Sequence, residues 1–240
     1  MFDKATYIKA LQDNGIYTSE EADNLTEKMK LKHSLIKHGP NVVHLEYYGG
    51  LLDDRDIVEI ESTFKGAGLE LSRFDKSGIA YANIDDYMLH IALFISSPAF
   101  KLILEHVGKN TAWEAVKATA IKVWRKVRNK NNSSSMSGQV KKTNVGLRIG
   151  FNNGQLTDFK LDGELSEETI LMVIDKVFDY SLKQSQLPSS QTEMPDFVVF
   201  DEKLSELRPV NVMEELRKKA EFQSAKRRTD LANNSPTPKS

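Results

Sequence analysis

The stretch Val145-Gly-Leu-Arg-Ile-Gly-Phe-Asn-Asn-Gly-Gln-Leu-Thr-Asp-Phe-Lys-Leu161 decides the fold class. Val145, Leu147, Ile149 and Phe151 alternate with Gly146, Arg148 and Gly150, and a period of two puts the apolar residues on one face of an extended strand. Asn153-Gly154 is the dipeptide that a tight hairpin turn favours, because both tolerate a left-handed backbone. On the returning strand Phe159 and Leu161 share one face, with Asp158, Lys160 and Asp162 on the other. Such a pair has an apolar face that helices must cover and a polar face that they need not.

Working outward, Ser166 is placed to cap a helix whose Ile170, Val173, Ile174, Val177 and Phe178 form one apolar stripe. Upstream, the capping-box pair Thr111 and Glu114 opens a helix that runs to about Lys130. Between this helix and the hairpin, Asn131 to Gly138 is rich in Asn and Ser and reads as loop. Ser97 before Pro98 signals a short helix ending at Gly108. Val42 to Tyr48 reads as a strand, and Asp53-Asp54 starts a helix carried by Ile57, Ile60 and Phe64. Leu69–Phe74 and Ile79–Ala82 flank the turn residues Asp75 to Gly78. The apolar run within Tyr87–Ile95 is read as a buried strand. At the N-terminus Ala5, Ile8 and Leu11, the breaker Gly15 and the pair Thr18/Glu21 describe a helical hairpin that Gly39-Pro40 ends.

The expected architecture is α+β. An N-terminal helical hairpin (1–39) precedes a core domain (40–184) whose mixed or antiparallel sheet is covered by helices, with a mobile loop at 131–142. The remainder, 185–240, is expected to be a linker, a short edge strand at Phe197–Phe200, a charged helix near 210–228 and a disordered C-terminal tail around Asn233 to Pro238.

Composition narrows the chemistry. The chain has 240 residues and no cysteine, which excludes disulfide scaffolds, thiolate metal sites and cysteine nucleophiles. The N-terminus lacks the apolar core of a secretion signal, and no apolar run approaches the ~20 residues of a membrane span. A cytoplasmic protein without integral membrane insertion is the expectation.

The formal net charge of −1 hides a partition. Residues 1–114 carry 12 basic and 18 acidic groups, and residues 115–157 carry nine basic groups and no acidic one. Residues 158–215 then hold 5 basic and 14 acidic groups, and the last 25 hold 7 and 2. On a helical projection Trp113, Val116, Ala120, Trp124 and Val127 share one side, while Lys122, Arg125, Lys126 and Lys130 lie opposite. With Lys141 and Lys142 in the following loop, these cations are the candidate contacts for an anion or for nucleic-acid phosphates. The tryptophans face away from the charge, so base stacking is not offered beside it. A solvated lysine-rich helix face, neutralised by the chain's own acidic block, is the competing reading.

Catalytic and cofactor motifs are absent. No two of the histidines at 33, 38, 44, 90 and 106 have the i, i+4 spacing of a helical zinc pair, and the sequence assigns no catalytic residue, metal ligand or cofactor. Pro195-Asp196 followed by Asp201-Glu202-Lys203 resembles the Pro-Asp…Asp/Glu-x-Lys signature of metal-dependent nucleases, in which the two acidic groups lie on neighbouring strands. Only four residues separate Asp196 from Asp201. Asp158-Phe159-Lys160 repeats the second half of that signature, but the strand before it supplies no acid. The functional expectation is a non-enzymatic interaction or adaptor protein, contacting a protein partner or a second copy through the hairpin 1–39 or the helix 210–228. Nucleic-acid binding through 117–142 and a metal-dependent hydrolase are the alternatives.

Overall fold

The computed structural model describes residues 18–34, 36–48, 50–76, 89–105, 111–133, 140–187, 195–215, 217–218 and 221. In chain order the elements are α1 (Ser19–Ser34), β1 (Val42–Tyr47), α2 (Asp54–Gly66), β2 (Glu70–Asp75), β3 (Ile91–Ile95), α3 (Ser97–Glu105), α4 (Thr111–Val127), β4 (Asn131–Ser133), β5 (Val140–Lys142), β6 (Val145–Gly150), β7 (Leu156–Leu161), α5 (Glu167–Ser185), β8 (Phe197–Asp201) and β9 (Glu206–Val210). Helices and one mixed seven-stranded sheet make the chain α+β.

The strand order is β2-β1-β3-β6-β7-β8-β9. Pairs β1–β2, β3–β6 and β7–β8 are parallel, and β1–β3, β6–β7 and β8–β9 are antiparallel. The Asn153-Gly154 turn closes β6 on β7 with Gly150 opposite Leu156, Gly154 having φ 80°. Alternation then fixes the faces. Val43, Leu45, Ile91, Leu93, Ile95, Val145, Leu147, Ile149, Phe159 and Leu161 enter one core with residues of α2, α3, α4 and α5. His44, Glu46, Phe94, Arg148, Asp158 and Lys160 occupy the opposite face. Gly146 lies on that second face, where a β-carbon would collide with the Phe159 carbonyl oxygen and lie 2.8 Å from a Leu89 methyl. The glycines in the alternating strand are therefore where a neighbour comes close.

Local signals at helix starts are realised. Thr18 and Glu21 bond reciprocally at the start of α1, Asp53 and Asp56 form a capping box at α2, and the Ser166 hydroxyl accepts from the Thr169 N–H at 3.1 Å. The cap of α3 is Ser96, one residue before the expected Ser97, since its hydroxyl accepts from the Ala99 N–H. The strand within Tyr87–Ile95 is β3. The first helix of the N-terminal hairpin, the turn-and-strand segment 77–88 and the tail lie outside the described residues.

β2 pairs in parallel with β1, and its expected hairpin partner Ile79–Ala82 lies outside the described residues. Two elements differ from expectation. The segment read as loop at 131–142 holds a two-stranded ladder, Asn131 opposite Lys142 and Ser133 opposite Val140. Phe197–Phe200, read as an edge strand beyond the core, is flanked on both sides: β8 joins β7 through Asp158↔Phe197 and Phe159↔Val198, and β9 becomes the edge. The main sheet thus crosses the boundary drawn at 184/185, because a hairpin with apolar Phe197 and Val198 buries them best by extending an existing sheet.

Candidate functional site

The basic helix α4 lies between α2 and α5 in the layer over the sheet, and its burial follows from that position. Trp113, Val116, Ala120, Trp124 and Val127 are buried as the projection requires, and so are Ala112, Ala115, Thr119, Ile121 and Val123. A helix with neighbours on both flanks buries more than one stripe. The Trp124 indole N–H donates to the Asp162 carbonyl at 3.0 Å, and the Arg128 guanidinium sits 4.8 Å from the Trp124 ring centre.

The cations of α4 point sideways, and each flank answers them. Toward α2, Lys122 pairs with Glu59, Lys126 lies 3.0 Å from both Asp53 and Asp56, and Lys130 donates to the Leu51 carbonyl at 3.1 Å. Toward α5, Lys117 reaches Asp175 at 2.7 Å and Arg125 grips Glu167 through two nitrogens, the first at 2.7 Å. Hydrogen bonding to the Asp56 N–H, then to Lys126, holds the Asp53 carboxyl down at about 2. The hydrogen bonds that Lys126 donates to Asp56 and Asp53 raise it above its usual range, and the bonds that Arg125 donates to Glu167 lower that carboxyl. The acids come from both acidic blocks, Asp53, Asp56 and Glu59 before the helix and Glu167 and Asp175 after it. A phosphate approaching Lys122, Arg125 or Lys126 would compete with carboxylates already in place, and one approaching Lys130 with the Leu51 carbonyl. Lys141 and Lys142 stand on β5, beyond this strip, paired through the backbone with Asn132 and Asn131.

The second face of the sheet carries a charge cluster that the sequence reading did not assemble. Arg148 on β6 clasps its register partner Asp158 on β7, Nε to Oδ1 at 2.7 Å and Nη2 to Oδ2 at 2.8 Å. Its Nη1 donates to Glu46 on β1 at 3.1 Å, and Lys76, just past β2, reaches the same Glu46 oxygen at 3.3 Å and the Leu89 carbonyl at 3.2 Å. Burial pushes the Lys76 amine down, against the pull of Glu46. Neither half was readable: a two-residue turn at Asn153-Gly154 would set Arg148 opposite Phe159, and the three-residue loop, closed by the Phe151 N–H to Gln155 carbonyl bond, sets it opposite Asp158 instead. Glu46, 102 residues from Arg148, had no local signal.

The nuclease-like signatures acquire definite positions. Asp196 immediately precedes β8 and Asp201 is its last residue, about 16 Å apart at ~3.3 Å per residue. Both carboxylate oxygens of Asp158 accept from Arg148. Among the described residues no three metal-ligating side chains converge, and no helix is long and apolar enough to cross a membrane. A shallow pocket of about 140 Å³ lies between α3, the end of β6 and the end of α5, lined by Ser97, Phe100, Leu104, Phe151 and Asn152 among others. That volume is below the ~300 Å³ at which ligand pockets begin. No family model matches the chain, and no curated protein or solved structure does either.

Proposed function

We propose that this chain is a non-enzymatic interaction protein that works through protein–protein contacts, with the β8–β9 hairpin and the residues just after it as the contact surface. The observation that carries the reading is an apolar surface left half in solvent. Leu204 at the hairpin tip is 65% exposed and Met213 is 74% exposed, and Val199, Phe200, Val210 and Val212 are each only partly covered. Leu204 and Met213 stand at opposite ends of the hairpin, and exposed apolar side chains at its tip and just past its base make this edge of the sheet the contact surface. β8 is paired with β7 only through its first two residues, so the rest of the hairpin extends beyond that pairing. The cations of α4, by contrast, are already bonded within the chain.

The test is a double variant, Leu204→Glu with Met213→Glu, compared with the parent by light scattering and by cross-linking in extract. The parent is expected to self-associate or to hold a cross-linked protein that the variant loses, at an unchanged urea midpoint. Identical behaviour of the two proteins would remove this surface from the reading. Retention of duplex or single strands at ~50 mM salt, falling linearly with log salt and weakened by Lys126→Glu, would move the function to the basic strip.

A further inference from the structure

The sequence offers no histidine pair with metal-ligand spacing, but the fold makes one. The Val42 N–H donates to the Gly39 carbonyl across the Gly39-Pro40 turn, at 3.3 Å, and this reversal lays His38 back over β1. The His38 and His44 rings stand 6.3 Å apart, centre to centre, at 54°. His44 projects from the sheet face opposite the helices and is stacked on Phe94 at 5.3 Å and 24°. Among the described residues neither imidazole has a hydrogen-bond partner, so both rings keep their nitrogens free.

We propose that His38 and His44 form a two-imidazole site for a divalent cation of borderline softness, such as copper, nickel or zinc. Metal–nitrogen bonds of about 2.0–2.1 Å put ring centres about 5.2 Å apart on a tetrahedral ion. Closing the observed gap takes about 1 Å, which the exposed His38 supplies by rotating its side-chain torsions. His44 is held in place by its stack on Phe94. Glu46, on the same face two residues on, has one carboxylate oxygen shared by Lys76 and Arg148. No third ligating side chain joins the pair among the described residues, so water completes the coordination. This is the open chemistry of an exchangeable cation, unlike a closed structural zinc site. The site is independent of the β8–β9 surface.

Calorimetric titration of the full chain with copper, nickel and zinc salts at pH 7.5 tests it. One saturable site per chain is expected, strongest for copper, as the general order of divalent affinities requires. Loss of a mere second-shell partner costs 10–100-fold in affinity, so His38→Ala should weaken binding by at least about tenfold. His44→Asn should do the same, and the copper spectrum should show coupling to two ring nitrogens. Lowering the pH to 5 should release the metal as the imidazoles protonate. Absence of a saturable site, or His38→Ala titrating like the parent, overturns the assignment, the second result handing the cation to other histidines.

Discussion

Replacing Arg148 by methionine removes three hydrogen bonds and a charge from the sheet face opposite the helices, while keeping much of the side-chain length. The Asp158 carboxylate, 12% exposed, loses both donors at 2.7 and 2.8 Å, and Glu46, 19% exposed, keeps only its pairing with Lys76 at 3.3 Å among the ion pairs described above. Removing one partner of a buried pair costs about 3–5 kcal/mol, since the remaining charge is left uncompensated. Arg148 is itself 23% exposed and water can reach the cluster, which points to the lower end, about 3 kcal/mol. That is a large part of the ~5–15 kcal/mol by which folded domains are stable. With a urea slope of about 3 kcal/mol/M, the midpoint should fall by about 1 M. The companion double variant, Arg148→Met with Asp158→Leu, removes both charges of the clasp and leaves Glu46 with Lys76. It should recover most of the loss, as paired charges replaced together by apolar groups often cost little. Urea unfolding of parent, single and double variants closes the cycle. A single-variant loss below about 1 kcal/mol, or a double variant at least as damaged as the single one, would refute the argument by showing the clasp to be worth no more than a surface pair.

Three further outcomes follow from local geometry. The Asp53 carboxyl titrates at about 2 in the folded chain, below its ordinary value, so its contribution is present above about pH 4 and is lost as the pH falls toward 2. Asp53→Asn keeps a cap acceptor and should flatten that acid limb in thermal melts taken from pH 7 to 2; an unchanged limb would assign it to other groups. Gly146→Ala drives a methyl into the Phe159 carbonyl and the Leu89 side chain and should cost about 1–3 kcal/mol in urea unfolding, whereas full stability would mean that Leu89 moves aside freely. In β9, Pro209 faces Val198, and a residue without an N–H belongs in the pair that exchanges no bonds, so its main-chain groups aim outward from the sheet edge. Pro209→Val therefore adds an outward donor and should raise the fraction of dimer or aggregate on size exclusion, an increase that would be missing if the edge were already covered.

What could be read without the structure is what depends on a few neighbouring residues. The alternation in β6, the Asn153-Gly154 turn and the caps at Thr18, Asp53 and Ser166 are decided by backbone conformations and side-chain reach within four residues. The register of that hairpin was not readable, since a two-residue turn at Asn153-Gly154 would set Arg148 opposite Phe159, whereas the loop holds residues 152–154 and sets it opposite Asp158. The reading failed where one segment's state depends on a distant one. Nothing within Leu69–Phe74 says that it pairs in parallel with β1, and Phe197–Phe200 is an edge strand until β9 covers it.

The same division holds for function. The sequence by itself determined an α+β chain without thiol chemistry, carrying nine cations in 43 residues without a single anion. Only the tertiary structure decided what those cations do. Lys126 meets Asp53 across 73 residues and Arg148 meets Glu46 across 102, while His38 comes to face His44 through a turn. The reason is physical: charge in sequence is one-dimensional, whereas electrostatic and metal-ligand interactions act over a few ångströms of space. Chain packing alone sets which groups fall within that range.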